Sequence, residues 1–457
     1  MKKILNSLFI SYLLSVTVWG RAPALSSAPS KSVAKIGVYI FDQDKKWANI
    51  VRSQPELILD HMGKFGYEVY GPAGLEEWLK ESNIPYTLVY HYLKEEQNKG
   101  TDNLGGYPSY AEWSEELRKL ATDNPHILQL SSIGLTEQGR EILAVKISDN
   151  PQSDENEPEF KYIANMHGDE IVGRELMLRT IRDMVSAYNN HDPEISNLID
   201  KTEIFIIPSM NPDGAELRRR ANSNFVDLNR NFPDFTTGDN RDEILQRAKE
   251  TAAVMRFQKS RNFALSANFH GGAEVVNYPW DTTPDLFPFD QMIKGISQEY
   301  AARVPGMYDS SEFPRGVTNG HAWYEVDGGM QDWSYFWHQD LQVTIELSNT
   351  KWPSFDSVSN FYNNNKVSII EFIKKIHQGG GIKYTDGRDG EVKILSGNKD
   401  LGTYYLRHGE FYKVLPPGDY TFVINSRGVE NRVAIKVPTS FEALNNPQLQ
   451  SYIVLND

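Results

Sequence analysis

Four short stretches of this 457-residue chain are apolar almost from end to end: Phe160-Lys-Tyr-Ile-Ala-Asn-Met166, Ile204-Phe-Ile-Ile-Pro208, Phe263-Ala-Leu-Ser-Ala-Asn-Phe269 and Leu341-Gln-Val-Thr-Ile-Glu-Leu347. A strand with one face in water alternates polar and apolar residues, whereas unbroken runs of this length suit strands covered on both faces. Helical patterns, as at residues 110–121 and 174–187, separate them. The expected fold class is therefore α/β, with a largely parallel or mixed central sheet flanked by helices.

The two ends of the chain read differently. Residues 33–93 alternate apolar runs (36–41, 67–70, 86–90) with helical patterns (47–62, 75–80), predicting a small β-α-β-α-β unit. The polar stretch 94–106 reads as a linker. After Gly379-Gly-Gly381 the chain changes to short β-rich pieces at 403–406, 411–415 and 420–424, with turn pairs Asp386-Gly387 and Pro417-Gly418 between them. Residues 381–457 are thus expected to form a small all-β domain behind a central domain of residues 107–378. At the start, Lys2 and Lys3, a short interrupted apolar run and Ala22-Pro-Ala24 read as a secretory signal over residues 1–24. A secreted or periplasmic protein with no membrane span in its mature form is expected.

Composition narrows the chemistry. With 47 Lys and Arg against 61 Asp and Glu, the net charge is −14, which argues against nucleic acid as a partner. The chain has no cysteine, so any metal must sit on His, Asp or Glu, and disulfides and thiol nucleophiles are excluded.

Ligands of α/β sheets sit at the carboxyl ends of strands, so polar residues directly after a buried run are the ones to inspect. The first run leads into His167-Gly-Asp-Glu170, which a helix beginning near Ile171 would hold with both side chains converging on one ion. His-x-x-Glu alone is weak, since His191-Asp-Pro-Glu194 repeats it in a polar loop with no strand before it. The third run ends in Asn268-Phe-His270-Gly-Gly272. Taken alone, His270 suits a hydrogen-bonded core histidine. With His167 and Glu170 it completes two imidazoles and one carboxylate, the donor set of a catalytic zinc that keeps one position open. Glu346 interrupts the fourth run, where a carboxylate needs a partner or a task. It is the candidate general base, against the plainer alternative of an edge glutamate facing water. Asn211-Pro-Asp-Gly214 marks a turn, followed by Arg218-Arg-Arg220 and Asp227-Leu-Asn-Arg-Asn-Phe232. Alternation there points Asp227, Asn229 and Arg230 inward, and a guanidinium beside an amide is suited to gripping a carboxylate.

Six motifs in order, His167-x-x-Glu170, Asn211-Pro-Asp-Gly214, Asp227-Leu-Asn-Arg-Asn-Phe-Pro-Asp234, Phe269-His-Gly-Gly272, Gly328-Gly-Met-Gln-Asp332 and Thr344-Ile-Glu-Leu-Ser348, resemble the zinc metallocarboxypeptidases. The likeness is to the regulatory N/E branch that includes carboxypeptidases D and M, in the form of a bacterial secreted member, and it covers residues 107–378. It implies one zinc ion on His167, Glu170 and His270, with Asp227 orienting His167. Asn229 and Arg230 would hold the substrate's terminal carboxylate and Tyr324 would close over it. Arg220 would polarise the scissile carbonyl, and Glu346 would move the proton from water to the leaving amine. Asp281, with Gln331 nearby, would form the pocket floor that selects Lys or Arg, so the implied partners are peptides or proteins with a basic C-terminal residue. The tail resembles the transthyretin-like domain of that branch. Residues 33–93 loosely resemble an activation segment, either shielding the site or serving as an accessory domain. Asp169 stands where relatives usually carry Asn, and Asn349-Thr350 where cysteine often follows the base. The alternatives are a zinc amidase acting on cell-wall peptides and a catalytically silent peptide-binding relative.

Overall fold

The computed structural model describes residues 33–93, 104–446 and 448–455. The expected signal over residues 1–24 and most of the expected linker, residues 94–103, lie outside the described residues.

The N-terminal unit contains strands β1 (Ile36–Phe41), β2 (Ile58–Asp60), β3 (Gly66–Gly71) and β4 (Thr87–His91). They form an antiparallel sheet in the order β2-β3-β1-β4. Its core is Val38, Ile40, Tyr67, Val69, Trp78 and Leu79. The long helix expected over 47–62 is corrected here. Only Ala48–Arg52 is helical; Pro55 lacks an amide hydrogen and pushes Gln54 away from helical angles. Ile58–Asp60 then becomes β2, a short edge strand whose far end runs into the central domain.

The central domain holds β5 (Leu128–Leu135), β6 (Glu141–Ile147), β7 (Glu159–Ala164), β8 (Glu203–Ile207), β9 (Phe263–His270), β10 (Glu274–Tyr278), β11 (Val317–Asn319) and β12 (Leu341–Leu347). The sheet runs β11-β10-β12-β9-β7-β8-β6-β5. The four apolar runs fall on β7, β8, β9 and β12, every residue of which is buried. These strands are mutually parallel, with antiparallel partners outside them. Helices Val172–Asn189, Asp290–Ala301 and Val358–Lys374 supply one core and Lys249–Lys259 with Met330–His338 the other. Lys161, buried in β7, is neutralised by Asp340 at 2.9 Å, so the run can carry a charge.

The tail comprises β13 (Gly379–Tyr384), β14 (Gly390–Ser396), β15 (Lys399–Leu406), β16 (Glu410–Val414), β17 (Gly418–Ser426), β18 (Val429–Val437) and β19 (Tyr452–Leu455). They form two sheets, β16-β13-β19 and β15-β14-β17-β18. Gly379-Gly-Gly381, expected as the break before this domain, belongs to its first strand. A Cβ on Gly380 would meet Ile435 at 2.6 Å and one on Gly381 the Phe411 carbonyl at 2.6 Å, so bare backbone is what lets the sheets approach. Lys413 on β16 is buried among Tyr404, Tyr335 and Phe289, its ammonium 4.2, 4.4 and 5.6 Å from the ring centres. Among the described residues no helix is long and apolar enough to cross a membrane.

Candidate metal centre and active site

Three adjacent parallel strands bring the predicted metal residues together. β7 lies beside β9 with Ala164 opposite Phe269, and β9 lies beside β12 with His270 opposite Glu346. His270 is the last residue of β9. His167 and Glu170 lie in the turn after β7, and the helix begins only at Val172, with Ile171 as its cap. The convergence expected of a helical turn is thus made by the loop, which Asn165 braces by donating its amide to the carbonyls of His167, Gly168 and Glu170.

His167 Nδ1 is 3.0 Å from Glu170 Oε1, His270 Nδ1 is 2.8 Å from Glu170 Oε2, and the two Nδ1 atoms are 3.1 Å apart. Donors bonded to a tetrahedral zinc at ~2 Å stand about 3.3 Å from one another, so the triad fits that ion. The far side of each ring fixes the tautomer. His167 Nε2–H donates to Asp227 Oδ1 at 3.1 Å, leaving the Nδ1 lone pair facing the centre. His270 Nε2 meets the Asn268 side-chain amide at 2.7 Å. Turning that amide over presents its otherwise unpartnered oxygen to Nε2–H and gives the same tautomer. Burial alone would raise Glu170, but the imidazoles of His167 and His270 hold its carboxyl well below the usual range.

Arg220 is buried beside the donor triad. Its Nε donates to Asp227 Oδ2 at 2.8 Å and its Nη1 lies 3.5 Å from Glu170 Oε1. Asp227 is buried, which would raise its pKa, yet Arg220 and His167 hold it far below the ordinary value. Asn229 lines the cavity above the triad, its Oδ1 fixed by the Met330 amide at 3.0 Å. Asp281 and Glu346 line the same cavity. Asp281 accepts from Asn277 Nδ2 at 2.9 Å, and a Cβ on Gly320 would sit 1.7 Å from its Oδ1, so glycine leaves the carboxylate its room. Burial pushes Asp281 up to about 6. Asp332 accepts the amides of Asp281 and Thr282, both at 2.9 Å, and burial with the Asp281 charge pushes it well up. Gln331, expected beside Asp281, is not part of that cavity lining: it is buried with neither amide atom hydrogen-bonded. Its neighbour Asp332 makes the hydrogen bonds to the Asp281 and Thr282 amides.

Sequence reasoning missed two residues. β2 ends in Asp60, and His61 follows it into the cavity. Asp60 Oδ2 accepts from Arg220 Nη1 at 2.7 Å, and Tyr324 donates to Asp60 Oδ1 at 3.2 Å. The Leu59 carbonyl accepts from Arg230 Nη2 at 3.1 Å. His61 Nδ1 is 2.7 Å from Asp60 Oδ2, and its Nε2 lies 3.4 Å from Glu346 Oε1. Burial disfavours a charge on His61, yet Asp60 and Glu346 on either side raise it to about 10. The available signal was Pro55, which forbids the helix, followed by an acid and an imidazole directly after an apolar triplet.

Comparison with known proteins agrees with this geometry. A family model described as zinc carboxypeptidase matches residues 113–368. Human carboxypeptidase D is 40% identical over 355 residues, 70% of this chain and 25% of that protein. This chain therefore spans about a quarter of that relative's length. Mouse carboxypeptidase M is 38% identical over 342 residues, 68% of this chain and 76% of that protein. The crystal structure of a carboxypeptidase A from Helicoverpa armigera superposes with a TM-score of 0.56 at 20% identity, over 75% of this chain and 97% of the other, so the fold is shared. A model match across more than half the chain, centred on the strands that carry the donor triad, means that the chain belongs to the zinc carboxypeptidase family.

Proposed function

We propose that the protein is a zinc-dependent exopeptidase that removes the C-terminal residue, Lys or Arg by preference, from peptides or proteins. The observation that carries this reading is one cavity lined by His167, His270, Glu346, Asn229 and the buried Asp281. One zinc on His167, Glu170 and His270 would polarise the scissile carbonyl and lower the pKa of a water to about 7. Glu346, in register with His270, takes the proton of the attacking water and hands it to the leaving amine. Arg220, fixed by Asp227, faces the oxygen on which negative charge develops. Arg230, Asn229 and Tyr324 hold the substrate's free carboxylate, which defines an exopeptidase. Asp281 pairs with the ammonium or guanidinium of the released residue. An amidase would have no need of that clamp together with Asp281.

The N-terminal signature supports export, and the two-sheet tail fits a transthyretin-like support domain. The test is release of C-terminal Arg, Lys, Leu and Phe from otherwise identical peptides, followed by mass spectrometry. The zinc-loaded chain would be assayed. Faster release of Arg and Lys is expected. A preference for Phe refutes the role of Asp281, and no release refutes the exopeptidase.

A further inference from the structure

Among the described residues that line the cavity over the metal donors, none comes from the tail. The tail nevertheless grips one end of a helix whose other end holds that cavity's recognition residues. Helix Met330–His338 is nine residues long, about 13 Å at 1.5 Å per residue. In its first turn the Met330 amide donates to Asn229 Oδ1 at 3.0 Å, and Asp332 accepts the amides of Asp281 and Thr282 at 2.9 Å. Asn229 and Asp281 both line the cavity. The first would bind the substrate's free carboxylate and the second its basic side chain, so both halves of C-terminal recognition are tied to one helix end.

The far end belongs to the tail. Arg407, directly after β15, donates from Nη2 to the Trp337 carbonyl at 2.7 Å and from Nη1 to His338 Nδ1 at 2.9 Å. His338 is buried, and its other ring nitrogen lies 3.2 Å from Asp242, which also accepts from Trp333 Nε1 at 2.8 Å. Burial lowers the His338 pKa, so a neutral ring turns its lone pair to the guanidinium. Gln339 then takes the left-handed position after the helix, with a φ of 62°, where glycine is the usual residue. A glycine would lack the side chain that is used here. Gln339 Nε2 donates to the Tyr405 carbonyl at 3.0 Å, and its Oε1 accepts the Tyr405 amide at 2.5 Å. β15 is the outer strand of its sheet, so this pairing satisfies backbone that an edge strand leaves open. A cation on the last carbonyls and an acid in the first turn also suit the two poles of the helix dipole.

We infer that Arg407 is a positioning residue for the reaction: by fixing the far end of this helix it sets Asn229 and Asp281 where a basic C-terminal residue needs them, and the tail is thereby part of the specificity machinery. This rests on the peptidase reading for the roles of Asn229 and Asp281. Between its ends the helix is largely buried, with the Trp333 ring 4.9 Å from that of Phe232. A rigid element held at both ends passes a displacement on instead of absorbing it.

The test uses the full zinc-loaded chain as parent, Arg407→Ala, Arg407→Lys, Gln339→Gly and Asn197→Ala, with peptides ending in Arg and in Leu. Asn197 meets the tail elsewhere, donating to the Leu444 carbonyl at 2.9 Å, and controls for a general loosening of the tail. A 1 Å misplacement costs up to ~100-fold, so Arg407→Ala is expected to lower kcat/KM for the Arg-ended peptide by roughly tenfold, mainly through KM. The Leu-ended peptide, which makes no use of Asp281, should lose less. Hydrogen exchange read by mass spectrometry should quicken at the amides of Asp281, Thr282 and Met330. Gln339→Gly keeps the left-handed turn without strain and should act in the same direction to a smaller degree. Arg407→Lys, still a cation beside the Trp337 carbonyl, should recover part of the loss, and Asn197→Ala should match the parent. Equal losses for the two peptides, unchanged exchange at those amides, or an equal effect of Asn197→Ala would overturn the assignment. Quickened exchange in Arg407→Ala, with no residue released by the parent, would support the coupling and sink the peptidase reading. Should circular dichroism show that Arg407→Ala has lost its fold, Gln339→Gly decides by the same two readouts.

Discussion

Asp281→Asn should make the protein more stable and a worse enzyme for basic substrates, with both effects set by one buried carboxylate. Burial pushes Asp281 from 3.8 to about 6, a displacement of about two units, or ~3 kcal/mol at ~1.4 kcal/mol per unit. Between those values the folded chain holds a proton that the unfolded chain has released. Stability therefore falls as pH rises through this window and stays lower above it. The amide retains an oxygen to accept from Asn277 and removes the ionisation, along with the repulsion felt by Asp332. Urea unfolding should show a gain of up to ~3 kcal/mol for the variant at pH 7, shrinking towards zero below pH ~4. On the functional side, a substrate ammonium or guanidinium buried without its partner loses about 3–5 kcal/mol. That is roughly two to three and a half orders of magnitude in kcat/KM. The decisive number is the ratio of kcat/KM for Arg-ended and Leu-ended peptides, because it cancels any effect of the mutation common to both substrates. A ratio unchanged by the mutation, or a variant no more stable than its parent at pH 7, would refute the reasoning.

Glu346→Gln should keep its zinc, since Glu346 is not one of the three donors, and lose ~10²- to 10⁴-fold in kcat with little change in KM; metal content and steady-state kinetics check both halves. Asp227→Asn should weaken zinc binding by ~10- to 100-fold, read by chelator competition, because an uncharged amide can accept from only one of His167 and Arg220 and no longer makes the His167 ring a stronger ligand. Lys413→Met should stabilise the fold at pH 6. Burial among three rings lowers the Lys413 pKa from 10.5 to about 7, so between these values the unfolded chain binds the extra proton and stability rises with pH. The ~5 kcal/mol implied by that displacement is reduced by the cation–π contacts to a gain of roughly 2–5 kcal/mol, measured as the difference between unfolding curves at pH 6 and 10.

The catalytic domain was legible because its signals are local. A strand covered on both faces has little choice but to be apolar throughout, so β7, β8, β9 and β12 stood out at nearly their true bounds. Polar residues just beyond such strands then marked the site, and His167, Glu170, His270 and Glu346 meet there through strand adjacency alone. Asp332 went unmarked because its partners, the Asp281 and Thr282 amides, lie some fifty residues away in the chain. Gly379-Gly-Gly381 was misread because glycine marks two things, a chain break and a close backbone approach. Only the positions of Ile435 and Phe411 decide for the second.

The contacts of β2 were illegible for a deeper reason. Asp60 is paired with Arg220, 160 residues away, and with Tyr324, 264 residues away. No periodicity in residues 58–61 encodes that pairing, because its partners are supplied by another domain. What the segment does show is a local conflict: a buried acid, and a histidine held at positive φ. Neither is favourable within the N-terminal sheet. Local preferences that go unmet inside a unit point to a requirement outside it, and the site that meets both lies at the carboxyl ends of β7, β9 and β12.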